Sequence, residues 1–294
     1  MKKVLIAVST ILLVASAAFA QNDINRVNPN GQKFMAKGAA GSGGGGSNLI
    51  FHSGGKVLRN AHVVLIFWGP SFASGGADNG YATTIQNFRN QFGMNHEYNV
   101  ITQYYGYDDN DGSYGNIAQS NLAGSVHPDY FDTATPPTNV TDSAVQQEVQ
   151  KVVAGQGGAG QGGADYAAIY EVFIPSGSYS SSGTSTSCGG PNLAYCAYHS
   201  HYVDSASRNV KYSIEPWAGC SGCSAFNNTT LDQEHFVCHE TREAVTDSLG
   251  NAWYDRRGYE ADDKCAWSPA PFLDGSYGYQ YEWSNAAGGC VQWK

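Results

Sequence analysis

Apolar residues in this chain gather in two patterns. Short continuous runs closed by Gly and Pro predict strands buried on both faces. Ala61 to Trp68 ends at Gly69-Pro70, and Tyr166 to Ile174 ends at Pro175. Tyr98 to Tyr105 reads as another strand, and Tyr195 to Val203 and Val210 to Pro216 as weaker ones. The second pattern has helical spacing. Tyr81, Ile85, Phe88 and Phe92 form one apolar face, and Val145, Val149, Val152 and Val153 another, behind a Ser143/Gln146 capping box. A Gly/Gln stretch from Gly155 to Gly163 ends that helix. Thr230 with Gln233 opens a third helix, which carries His239. The Tyr-, Trp- and Gly-rich tail predicts irregular strands wrapping over this helix.

Helices interleave with strands from Asn48 onward, so residues 48–294 read as one α/β domain, a mixed sheet with helices on its faces. Residues 21–47 are polar and then nearly pure Gly/Ser from Gly38 to Ser47, the composition of a flexible linker without a core. Residues 1–20 read as a signal peptide: Lys2 and Lys3, an apolar stretch from Val4 to Ala18, and cleavage after Ala20. A secreted or periplasmic protein is expected, and no other apolar segment is long enough for membrane insertion.

Removing Lys2 and Lys3 takes the net charge from -9 to -11. An acidic surface without basic clusters excludes nucleic acid as an expected partner. In an oxidising compartment the seven cysteines read as three bridges and one leftover thiol. Pairing nearest neighbours predicts Cys188–Cys196, Cys220–Cys223 and Cys265–Cys290. Cys238, inside the third helix, is left as a packed thiol.

The chemistry concentrates at His239-Glu240-Thr241-Arg242-Glu243, followed by Glu260 and Asp263. On a helix, His239 and Glu243 lie one turn apart on the same face and can close on one metal ion. Glu240 stands beside them as a candidate general base towards an activated water. Glu260 is expected as the third ligand, with Asp263 orienting His239 or substituting for it. His199 and His201 share one face of a strand, so one of them can enter the site from another element. His235 and Glu243 are about 12 Å apart along a helix axis and cannot share an ion with bonds near 2 Å. The pair is therefore His239/Glu243 or His235/His239. The first keeps Glu240 in the base position, which leaves His235 as a substrate-rim residue. Zinc is the expected cofactor. Asp108-Asp109-Asn110-Asp111-Gly112 has the composition of a calcium loop without an EF-hand register, and an exposed acidic turn is its plainer reading. A Gly-x-Ser-x-Gly elbow and a phosphate loop are both missing, which weakens esterase and nucleotide readings.

Several segments together resemble the phosphate-induced, EXORDIUM-like family of secreted proteins. His52-Ser53-Gly54-Gly55-Lys56-Val57-Leu58 is similar to that family's His-Gly-Gly-Pro-Val-Leu segment, and Phe67-Trp68-Gly69 follows it. Cys196-Ala197-Tyr198-His199 is similar to its Cys-Gly-x-His, and Trp217 precedes Cys220 and Cys223. The most specific block is His239-Glu240-x-x-Glu243-Ala244-Val245-Thr246-Asp247, then Asn251-Ala252-Trp253-Tyr254 and Glu260-Ala261-Asp262-Asp263-Lys264-Cys265, closing with Trp283-Ser284 and Cys290. Ser248 replaces the usual Pro, and the middle region carries Ser/Gly insertions. The resemblance covers roughly residues 48–294 and strengthens the metal site without bringing an accepted reaction. Two expectations follow. One is a zincin-like, zinc-dependent hydrolase, most simply a metallopeptidase acting on peptides or an extracellular polymer. The other is a non-catalytic binding or signalling protein with a structural metal and an aromatic, wall-facing tail.

Overall fold

The run from His62 to Trp68 is apolar throughout because both of its faces are covered. Val63, Leu65 and Phe67 enter one buried cluster, while Val64, Ile66 and Trp68 enter another on the opposite side of the pleat. The computed structural model describes residues 33–38, 46–155 and 163–294; the expected signal peptide and most of the expected linker lie outside these. Among the described residues, the largest sheet is built from β1 (Lys33–Met35), β2 (His62–Trp68), β3 (Tyr130–Asp132), β4 (Ala168–Ile174), β5 (Tyr195–Val203) and β6 (Asn209–Pro216). Its spatial order is β1-β5-β6-β4-β2-β3. Strands β6, β4, β2 and β3 run parallel, and β5 and β1 add antiparallel at one side. The architecture is mixed α/β, with smaller sheets around this one.

Helices α1 (Asn79–Phe92), α2 (Asp142–Val153) and α3 (Thr229–Thr246) lie on the two faces. Phe88 of α1 and Val237 of α3 join the cluster of Val63 and Phe67, while Val145, Val149 and Val152 of α2 join that of Val64 and Ile66. The helix starts differ from expectation. Thr141, not Ser143, caps α2 by accepting from Ala144 N at 3.3 Å, and Asn228, two residues before Thr230, caps α3. Tyr98 to Gln103 is a 3₁₀ helix rather than a strand, entered where Asn95 Oδ1 accepts from Tyr98 N, and only Tyr105 to Asp108 is extended.

The segment His52 to Leu58 secures the C-terminal end of α3. Leu58 N donates to Val245 O, Lys56 N to Asn251 Oδ1 and His52 N to Ala252 O. Gly55 permits the approach: a Cβ there would meet Ala252 Cα at 2.4 Å. Two segments far apart in sequence are thus one contact.

Three disulfides are present, and two expected pairings are corrected. Cys188 bonds Cys220 and Cys196 bonds Cys223, while Cys265–Cys290 is as expected. Both corrected bridges tie the 3₁₀ turn Ser221–Cys223 to β5 and the loop before it, a neighbour in space that sequence distance does not reveal. Cys238 is a buried free thiol, pushed up to about 12 by burial, as expected of a packing residue. The folded body also begins earlier than Asn48: Lys33 to Met35, assigned to the linker, form the edge strand β1. Among the described residues no helix is long and apolar enough to cross a membrane.

Candidate metal centre

Helix α3 is unusual in burying charge on all sides. From Asp232 to Thr246 every residue is buried, including His235, His239, Glu240, Arg242 and Glu243. A helix in this position is ordinarily apolar all round. Its polar groups therefore need partners from the elements packed on it. Most find them: Asp232 accepts from Ala225 N and Phe226 N, Glu234 from Gly278 N, and Thr241 donates to Glu171 at 2.7 Å. Gln233 donates to Glu215, and Arg242 pairs with Asp262 and, at 2.7 Å, with Glu282.

Two of the atoms left over meet at one point. His239 Nε2 lies 3.1 Å from Glu243 Oε2, and neither atom has a hydrogen-bond partner among the described residues. Gln280 explains why. Its Nε2 donates to Asp262 O and Oδ1, so its Oε1 must accept, taking protons from His239 Nδ1 at 3.1 Å and His235 Nε2 at 2.8 Å. Burial holds the His239 pKa down to about 4, so the ring is neutral and Nε2 carries a lone pair. A lone pair thus faces a carboxylate oxygen across 3.1 Å, two acceptors with no proton between them once Glu243 is ionised. A cation is the natural third party.

Other elements supply the remaining donors. His199 of β5 is buried, with Nε2 3.0 Å from Glu260 Oε2 and 3.8 Å from Glu243 Oε2. Asp263 Oδ1 is 3.8 Å from His239 Nε2, and Asp263 N donates to Glu243 Oε1 at 2.8 Å. Two donor sets result, His199/Glu243/Glu260 and His239/Glu243/Asp263, sharing Glu243. Tetrahedral ligands on bonds near 2 Å are about 3.3 Å apart. The observed separations of 3.0 to 3.8 Å bracket that value.

Burial pushes Glu243 up to about 7 and raises Asp263 well above its ordinary range, Glu243 and Glu260 adding repulsion to the latter. It holds His199 down to about 4. Glu240 is fully buried, neither oxygen has a hydrogen-bond partner among the described residues, and burial and then Glu215 raise its pKa well above the usual range. Such crowding of buried acids beside Arg242 and Lys264 is costly without a bound cation.

Of the expected residues, His199, His239, Glu243, Glu260 and Asp263 meet here. Glu260 groups with His199 rather than His239, and Asp263 stands among the donors, leaving the orientation of His239 to Gln280. His235 is corrected: it is fully buried and bonded to Gln280, not at a rim. The Asp108–Gly112 turn spends its acids internally. Asp108 accepts from Asn110 N and Arg59 N, and Asp109 pairs with Lys211. Sequence reasoning missed Gln280 and also Phe34 of β1, whose ring stacks on His239 at 4.2 Å. No protein-family model, curated protein or solved structure matches the chain.

Proposed function

We propose that this chain is a zinc-dependent hydrolase of the EXORDIUM-like kind, most simply a metallopeptidase, exported and built as a single zincin-like domain. The carrying observation is the 3.1 Å approach of His239 Nε2 to Glu243 Oε2, neither with a hydrogen-bond partner among the described residues, with His199, Glu260 and Asp263 around them. A zinc ion held there would supply Lewis acidity, polarising a carbonyl and bringing a water's pKa towards neutrality.

The rest belongs to the chain. Gln280 fixes the His239 tautomer by accepting at Nδ1, a role that strengthens Nε2 as a donor. Glu240, next to His239 on α3 and without a hydrogen-bond partner, is the group to take the water's proton. The hydroxyl then joins the carbonyl carbon, the carbon–nitrogen bond breaks, and the proton passes from Glu240 to the leaving amine. Several carboxylates around the ion would weaken its acidity, so turnover is expected to be modest.

The full burial of every donor favours one second reading, a structural metal in a binding or signalling protein. Metal content and turnover of Glu240→Gln and His239→Ala separate the two. For the hydrolase, Glu240→Gln keeps its zinc and loses about 10²–10⁴-fold in peptide cleavage, while His239→Ala loses both. If wild type holds its zinc yet cleaves no peptide, and Glu240→Gln changes neither fold nor metal while His239→Ala lowers Tm, the structural reading takes over. A folded, metal-free wild type that ignores added zinc would sink both.

A further inference from the structure

A hydrolase with every donor buried needs a way in, and the cover over this centre is β1. Lys33 to Met35 pair antiparallel with the outer edge of β5, the strand that carries His199. Phe34 faces Ala197 and is fully buried, its ring stacked on His239 at 4.2 Å and on Trp267 at 5.0 Å. Past Phe34 the register shifts, and the backbone is held from two sides. Ala36 N donates to Ala194 O, Trp267 Nε1 donates to Met35 O, and Lys37 N donates to Gly222 O at 2.7 Å. A short extended segment therefore lies in a cleft between a sheet edge and a wall formed by Trp267 and Gly222, with one aromatic side chain against a candidate metal ligand.

From Gly38 to Ser47 the sequence contains only Gly, Ala and Ser, so it offers no large apolar side chain to anchor β1 from that side. One buried aromatic and a handful of backbone hydrogen bonds set against the ordering entropy of the segment leave β1 near balance. Its departure would expose the N–H and C=O groups of β5 and an empty aromatic socket beside His239. This is the recognition chemistry of strand addition, in which the backbone gives affinity and side-chain pockets give specificity. Sugar polymers lack the regular alternation of donors and acceptors that such an edge requires.

We propose that β1 occupies the substrate's place: the cleft takes extended polypeptides that add antiparallel to β5 and put an aromatic side chain into the Phe34 socket. This rests on the metallopeptidase reading for what happens after binding, but not for the binding itself.

The test uses the full chain and a fluorescent peptide with the sequence of residues 31–38, read by anisotropy. Phe34→Ala empties the socket, and Ala36→Pro removes the N–H bonded to Ala194 O while leaving Phe34 intact. Both variants, with wild-type circular dichroism, are expected to bind the peptide at least about tenfold more tightly than wild type does, and neither to bind a peptide with Ala in place of its Phe. Equal binding by wild type and by whichever variant folds, or binding indifferent to the Phe, overturns the proposal. Peptide capture without cleavage keeps the cleft and removes the hydrolase. Cleavage of other peptides by a wild type whose variants show no gain in capture keeps the hydrolase and removes the cleft.

Discussion

Gln280 decides the state of the centre without being a metal donor itself. Its amide is locked by Asp262, and Asp262 is held by Arg242, so a chain of buried bonds runs from a guanidinium to His239 Nδ1. Replacing Gln280 by Ala leaves two imidazole N–H groups and the Asp262 acceptors short of partners, a loss of about 1–3 kcal/mol in stability. The same change frees the His239 ring to rotate or change tautomer and should weaken zinc about 10–100-fold, the usual effect of losing an outer-sphere partner. Competition with a chromophoric chelator measures this. Unchanged affinity in Gln280→Ala would show that the tautomer is not set here. The His-Glu-x-x-Glu spacing was readable because a helix fixes which side chains share a face. Gln280 had only a faint mark, the alternation of Tyr279, Tyr281 and Trp283 with Gln280, Glu282 and Ser284, which describes a strand with one aromatic and one polar face.

At the scale of elements, strands covered on both faces were the legible part. Tyr195 to Val203 was expected and observed with the same ends, and β2, β4 and β6 differ from their expected limits by at most two residues. What failed depended on distant neighbours. Lys33-Phe34-Met35 carries no periodicity of its own and becomes a strand only because the β5 edge is there to pair with it. The bridges from the Cys220/Cys223 turn were mispaired for the same reason. Non-reduced peptide mapping should recover Cys188–Cys220 and Cys196–Cys223. Closing loops of 32 and 27 residues, each bridge is worth about 3.5 kcal/mol on a chain-entropy basis.

Helix α2 carries a pH signature away from the metal. Glu148 is buried beside Lys151, at 2.5 Å, and near Asp132, and burial raises its pKa to about 7. The folded state therefore holds a proton that the unfolded chain releases near its ordinary 4.5, so this stability is full below that pH and is lost as pH rises through about 7. Asp132, held below its ordinary range, titrates beneath this window, and Lys151, raised, titrates above it. At about 1.4 kcal/mol per unit the ceiling is roughly 3 kcal/mol, which solvent near the Lys151 end reduces to about 1–2. The difference between urea melts at pH 5 and pH 8 should be smaller by that amount in Glu148→Gln than in wild type, the other buried acids contributing equally to both. A Glu148→Gln protein with the wild-type slope would refute the assignment.

The whole molecule places its acid where it is most expensive. A net charge of -9 is spread over the entire chain, yet Glu240, Glu243, Glu260, Asp262 and Asp263 are all buried around one centre, with Arg242 as their main internal counterion. The disulfides do not offset this charge: two tie the Cys220/Cys223 turn to β5 and the loop before it, and the third ties the Asp263–Cys265 turn to the tail. Stability should therefore depend on the cation more than on any single contact. An ion present at about a thousand times its dissociation constant stabilises the folded state by about 4 kcal/mol, which for a chain of this size is about 10 °C in Tm. Stripping with a chelator should lower Tm by that order, added zinc should restore it, and calcium should not, because imidazole nitrogens suit zinc and a hard oxygen-seeking ion gains little from them. His239→Ala and Glu243→Ala should start near the stripped value and respond to neither treatment. A wild type whose melting is indifferent to chelator and to zinc would mean that the buried acids are simply protonated, and the centre would then hold carboxylic acids sharing protons instead of a metal.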